Sequence, residues 1–151
     1  MFAEFNALFW VIAGLLVGAE GRRGRRDLVQ LAEMLACSTG KSMARVSWDY
    51  VDYGCWCGVH GSGAAVDGTD RCCRKHDQCY AKLIARCPGF SVYFTKYVFH
   101  CYSNQRVKCD DVDDDCGSAL CQCDQRLAVC VGSQTDYNPK FRHHRARRHC
   151  V

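Results

Sequence analysis

After its first twenty residues this 151-residue chain has no apolar run long enough to anchor it in a bilayer, which excludes a membrane span beyond that point. Internal repeats are missing too, and a basic stretch near the end is the sole biased segment. No two cysteines stand at C-x-x-C spacing, although CWC, CC and CQC bring thiols close together; that argues against a zinc site. Glycine and proline are absent from Asp70 to Arg86, so nothing there interrupts a helix. The acidic run DDVDDD, Asp110 to Asp115, fails as an EF-hand. Counted from Asp110, it lacks the sixth-position glycine and puts Cys121 where a bidentate glutamate belongs. It reads as a solvated acidic turn.

What is present begins with MFAEFNALFWVIAGLLVGAE, an apolar run from Ala7 to Val17 ending in small residues, which reads as a secretory signal peptide over residues 1–20. GRRGRR follows, a processing-type basic run, so residues 21–26 read as a short propeptide and residues 27–151 as one secreted, extracellular domain. All 14 cysteines lie after Arg26, and the even number leaves no obligatory free thiol. This is the composition of a disulfide scaffold. Without its first 26 residues the chain keeps 16 basic and 14 acidic residues. KFRHHRARRH, residues 140–149, holds five of the positive charges and no acid, so the rest of the domain is net acidic.

DLVQLAEMLA, Asp27 to Ala36, places Leu28, Leu31 and Leu35 on one face of a short amphipathic helix. Residues 38–52 are polar with Trp48 and Tyr50, and read as a loop leading into CGVHGSG, Cys57 to Gly63, whose glycines demand a sharply bent backbone. DRCCRKHDQCYAKLIAR, Asp70 to Arg86, predicts a long buried helix stopped by Pro88 and Gly89. Phe90 to Phe99 fits either strand or irregular structure. A pair of short strands about a polar turn is expected within residues 102–115, and a third helix over Gly117–Val131.

Cys72 and Cys79 are seven residues apart, as are Cys123 and Cys130, so each pair lies along one helix face about 10.5 Å long. Antiparallel helices would let Cys72 bridge Cys130 and Cys79 bridge Cys123 in a single register. His76 sits between these staples with Asp124 facing it. A histidine oriented by a carboxylate is a general-base arrangement, and equally a buried histidine satisfied by an acid. Asp77, about 100° further round the helix, can face the glycine loop. One carboxylate with a loop of backbone carbonyls is how calcium is held.

YGCWCG (Tyr53 to Gly58), DRCCRKHDQCY (Asp70 to Tyr80) and CQCDQRLAVC (Cys121 to Cys130) together closely resemble secreted phospholipase A2, over nearly all of residues 27–151. Cys37 and Cys150 resemble the pancreatic, group I, pattern. The resemblance implies a mainly α, disulfide-rich fold with two long antiparallel helices, a short N-terminal helix, a calcium loop and a small two-stranded β-wing. It implies the bridges Cys37–Cys101, Cys55–Cys150, Cys57–Cys73, Cys72–Cys130, Cys79–Cys123, Cys87–Cys116 and Cys109–Cys121. It also implies calcium-dependent hydrolysis of the sn-2 ester of glycerophospholipids at a membrane or micelle surface. His76 would be the base, with Asp124, Tyr80 and Tyr97 behind it. Ca2+ would be held by Asp77 and the main-chain oxygens of Trp56, Gly58 and His60, and Gln30 would tie a freed N-terminus to the site.

Two residues depart from that family, which usually has glycine at His60 and tyrosine or phenylalanine at Trp56. Main-chain oxygens survive both changes, but a histidine at positive φ carries strain. Leu28, Val29, Leu31, Trp48 and Val59 are candidates for contact with lipid, and Tyr93 for the substrate phosphate; core packing is the other reading of Leu28 and Leu31. The basic end fits anionic lipid or heparin-like polymers, or is a solvated segment carrying Cys150 to its partner. Nucleic acid is not an expected partner, and a monomer is expected. The rival function is a non-catalytic secreted binding protein, a receptor ligand or matrix protein, on the same scaffold.

Overall fold

A computed structural model describes residues 26–89, 91–110, 115–143 and 150. The signal peptide and nearly all of the propeptide read from the sequence lie outside them, as do Phe90, most of the acidic run and residues 144–149 of the basic end.

Four helices and one small sheet make the fold. Helix α1 is Arg26–Thr39, α2 is Met43–Tyr50, α3 is Gly68–Arg86 and α4 is Asp115–Gly132; strands β1 (Phe99–Cys101) and β2 (Val107–Cys109) lie between α3 and α4. A single 3-10 turn, Pro139–Phe141, follows. Each long helix has a local cause. Asp67 caps α3, accepting from the Asp70 amide at 2.8 Å, and after Gly68 in its first turn the helix meets no glycine or proline until Pro88. Helix α4 buries Leu120, Leu127, Ala128 and Val131 against α1 and α3.

The core is one cluster between these helices. Met34 and Leu35 of α1, Val46 and Tyr50 of α2, Leu83 of α3, Val107 of β2 and the buried face of α4 all enter it. Seven disulfides cross-link these elements: Cys37–Cys101, Cys55–Cys150, Cys57–Cys73, Cys72–Cys130, Cys79–Cys123, Cys87–Cys116 and Cys109–Cys121. Cys72–Cys130 and Cys79–Cys123 cross from α3 to α4 in opposite chain order, which requires the two helices to run antiparallel. Such links stabilise a small fold chiefly by removing disorder from its unfolded state.

Two readings from the sequence need correction. Trp48 does not lie in a polar loop but on α2. Ser42 caps that helix through the Arg45 amide, and Val46, Asp49 and Tyr50 form its buried face. A helix whose inner face carries an aspartate escapes hydrophobic counting. The β-wing also starts earlier than residue 102. Phe99 pairs with Cys109 and Cys101 with Val107, around a turn in which Gln105 takes φ 62°.

Candidate active site

His76 points from α3 into the seam with α4, between the two cross-links, and its Nε2 lies 2.7 Å from Asp124 Oδ1. Asp124 is buried and accepts two further hydrogen bonds, from Tyr80 Oη to Oδ1 at 2.6 Å and from Tyr97 Oη to Oδ2 at 2.5 Å. An ionised carboxylate is acceptor-only, and three donors fill it well. With Nε2–H donating to Asp124, Nδ1 of His76 is the unprotonated nitrogen, free to accept a proton. The Tyr80 ring packs 4.1 Å from the imidazole and limits its rotation.

Tyr97 is held in turn from α1. Gln30 Nε2 donates to the Tyr97 carbonyl at 2.6 Å, and the Tyr97 amide returns a bond to Gln30 Oε1 at 3.4 Å. The first helix therefore reaches the His76 cluster within one residue.

Asp77 faces the glycine loop. A Cβ added at Gly61 would stand 3.0 Å from Asp77 Oδ2 and 2.7 Å from the Trp56 ring, so only glycine allows this approach. Burial pushes the Asp77 carboxyl up to about 6, against the pull of His76 and with a further push from Asp70. No cluster of three His, Cys, Asp or Glu side chains able to hold a metal occurs among the described residues. A cation at Asp77 would need further oxygens from main-chain carbonyls or water. A half-buried carboxylate with a raised pKa, beside a loop bent to expose its backbone, fits a hard cation. Gly58 has φ 132° and His60 φ 61°, so His60 does occupy the left-handed region that favours glycine.

Sequence reasoning missed what holds this loop. Asp70, fully buried, accepts from the amides of Cys55 at 2.9 Å, Trp56 at 2.7 Å and Val66 at 2.9 Å, pinning both ends of the loop to the first turn of α3. Gly54, at φ 59°, leaves room for that carboxylate. Trp56 donates Nε1–H to the Gly63 carbonyl at 3.1 Å, and the Arg74 guanidinium lies over its ring at 5.3 Å. Asp49 was also missed. Burial would raise its pKa, but hydrogen bonds from Lys41, Arg45 and Tyr137 outweigh that and hold it below the ordinary carboxylate value. Arg142 adds a fourth bond at 2.6 Å, which fastens the end of the chain to α2.

Of the other positions picked from the sequence, Leu28, Val29, Trp48, Val59 and Tyr93 are exposed. Leu31 instead packs against the core. His143 lies edge-on to Trp48 with ring centroids 4.5 Å apart. No described helix is long and apolar enough to cross a membrane.

The family model described as Phospholipase A2 matches residues 28–142. Among similar proteins, "Acidic phospholipase A2 Vur-PL3" of Vipera renardi is 37% identical over 143 residues, covering 94% of this chain and 93% of the relative. "Phospholipase A2 EC1" of Echis coloratus is 34% identical over the same shares. "Basic phospholipase A2 homolog textilotoxin B chain" of Pseudonaja textilis is 39% identical over 105 residues, 70% of this chain and 84% of the relative. Residues 28–142 take in α1, the glycine loop, the His76–Asp124 pair and the β-wing together, and the chain belongs to the phospholipase A2 family.

Proposed function

We propose that this protein is a secreted, calcium-dependent hydrolase of the sn-2 ester of glycerophospholipids, releasing a fatty acid and a lysophospholipid at lipid surfaces. The observation that carries this reading is His76 fixed by Asp124 at 2.7 Å, one residue from a raised-pKa carboxylate that faces a glycine loop.

His76 Nδ1 accepts a proton from a water that attacks the ester carbonyl, while Nε2–H keeps donating to Asp124 Oδ1. Asp124 fixes tautomer and orientation and steadies the imidazolium as it forms; Tyr80 and Tyr97 hold the carboxylate in place. The protonated His76 then returns its proton to the departing alkoxide. Asp77 and the main-chain oxygens of Trp56, Gly58 and His60 would hold Ca2+, which when bound stabilises the oxyanion and the substrate phosphate. Leu28, Val29, Trp48 and Val59 are exposed side chains suited to contact with lipid, and Tyr93 to the phosphate.

The group I pattern is part of the proposal, carried by Cys37–Cys101 and Cys55–Cys150. So is cleavage after Arg26 to give a 27–151 domain, since Gln30 links the start of α1 to Tyr97. Fatty-acid release from phospholipid vesicles, with calcium and with chelator, tests the reading. Activity should vanish in chelator and in His76→Gln. Activity that survives chelator refutes calcium dependence. A fully oxidised protein with no activity at millimolar calcium is instead a ligand-only member, the second reading, which the strained His60 favours.

A further inference from the structure

We propose that Arg74 is a positioning residue for the glycine loop: by stacking on Trp56 it braces the main-chain oxygens assigned to the cation. The proposal rests on the reading of Asp77 and this loop as a calcium site. Asp70, Arg74 and Asp77 stand at i, i+4 and i+7 on α3, so the three share one stripe of the helix. Both carboxylates of that stripe serve the loop, Asp70 by accepting from the amides of Cys55 and Trp56 and Asp77 by facing Gly61. Between them the Arg74 guanidinium lies over the Trp56 ring, 5.3 Å from its centroid. Arg74 is exposed and joins no ion pair among the described residues, which leaves its flat face free to stack.

The indole is where a brace has leverage. Its Nε1–H reaches the Gly63 carbonyl at 3.1 Å, and a Cβ added at Gly61 would stand 2.7 Å from ring atom Cε3. The Trp56 side chain thus spans the stretch that carries the Gly58 and His60 oxygens. At its base the loop is fixed by the Asp70 bonds, by Cys57–Cys73 and by the Ser62 amide, which donates to the Cys55 carbonyl at 3.2 Å. Above that base Gly58 takes φ 132° and His60 φ 61°. A histidine stays in the left-handed region only where its surroundings over-determine the backbone. An indole free to swing would release Gly61 and Gly63 together, and a planar cation stacked on it opposes that swing.

The charge of Arg74 works the other way, because it repels a cation at Asp77. Stacking and charge therefore have opposite effects on calcium affinity. That makes them separable.

Two measurements on the 27–151 protein test the proposal. Trp48 and Trp56 are the two tryptophans of residues 27–151, so in Trp48→Phe the loop indole alone supplies tryptophan emission. Without calcium, acrylamide should quench that emission more strongly once Arg74→Gln is added. In calorimetric titration, Arg74→Gln should weaken calcium binding by about two- to fivefold more in the presence of Trp56 than in Trp56→Leu, the size of an exposed cation–π contact. Arg74→Lys keeps the charge without the plane and should also weaken calcium binding. The proposal is overturned if Arg74→Gln leaves quenching unchanged, or if it shifts the dissociation constant by the same factor with and without Trp56→Leu. Should Trp56→Leu bind too weakly to titrate, Arg74→Lys decides: affinity equal to wild type means that only charge matters, and overturns the brace. A wild type that binds no calcium at millimolar dose, while Arg74→Gln still unshields the indole, sinks the calcium reading and leaves the brace standing. Far-ultraviolet circular dichroism confirms that each variant is folded.

Discussion

His60 provides the sharpest test of how the loop works. Its φ of 61° is a left-handed conformation, which costs a side chain bearing Cβ about 1 to 2 kcal/mol. Glycine adopts it freely but loses about 0.4 to 1 kcal/mol more entropy on folding, so the net relief in His60→Gly is about 1 kcal/mol. If the loop orders around the ion, that relief appears as calcium affinity, and about 1.4 kcal/mol is a tenfold change. A series at this position separates backbone from side-chain effects. Calorimetric titration of calcium should rank the dissociation constants Gly, Asn, His, Ala, Val from tightest to weakest, because asparagine and histidine tolerate the left-handed region and β-branched residues do not. Equal affinities for Gly and Val would refute the strain argument. Weakening in both Gly and Asn would show that the imidazole itself matters.

Acid should act on Asp77. Its pKa of about 6 lies above the ordinary 3.8, so without calcium the folded protein holds this proton more tightly than the unfolded chain does. Its contribution to stability is therefore full below about pH 4 and lost as pH rises through about 6. With chelator, Asp77→Asn should remove that dependence from the pH profile of the melting temperature, and calcium affinity of the wild type should fall below about pH 6; an unchanged profile contradicts the assignment. Tyr97→Phe leaves buried Asp124 Oδ2 without its donor, and should cost about 1 to 3 kcal/mol in denaturant unfolding with disulfides intact. No loss of stability would mean that the bond carries nothing. Asp49→Asn leaves Lys41, Arg45 and Arg142 around a neutral amide and should cost about 3 kcal/mol, at the lower end for a buried charge network because Arg45 is half exposed. A change below about 0.5 kcal/mol, as at ordinary surface sites, would show that the network does not anchor the chain end.

The long helices were legible because their signals are local and redundant. In α3 a capping aspartate, an uninterrupted run and a proline after the end agree within one stretch. His76 and Asp124 could be paired on paper because the cysteine spacing on two helices admits one antiparallel register, and the bridges lie in that register. Helix α2 escaped because its buried face includes Asp49, and a charge counts as surface until its partners are known. Those partners include Tyr137 and Arg142, about ninety residues away. Asp70 was quoted within a motif but given no task, because its task is to hold the amides at both ends of a loop.

By itself the order of residues determined the cross-linked helical scaffold and the candidate histidine, since helical period and cysteine spacing are properties of neighbours along the chain. Tertiary structure alone decided the sign of φ at His60, the raised pKa of Asp77 and the hold of Asp70 on both ends of the glycine loop. Each of these depends on what distant segments bring close, on desolvation and on the direction in which a backbone bends, and none of those quantities exists until the chain has folded.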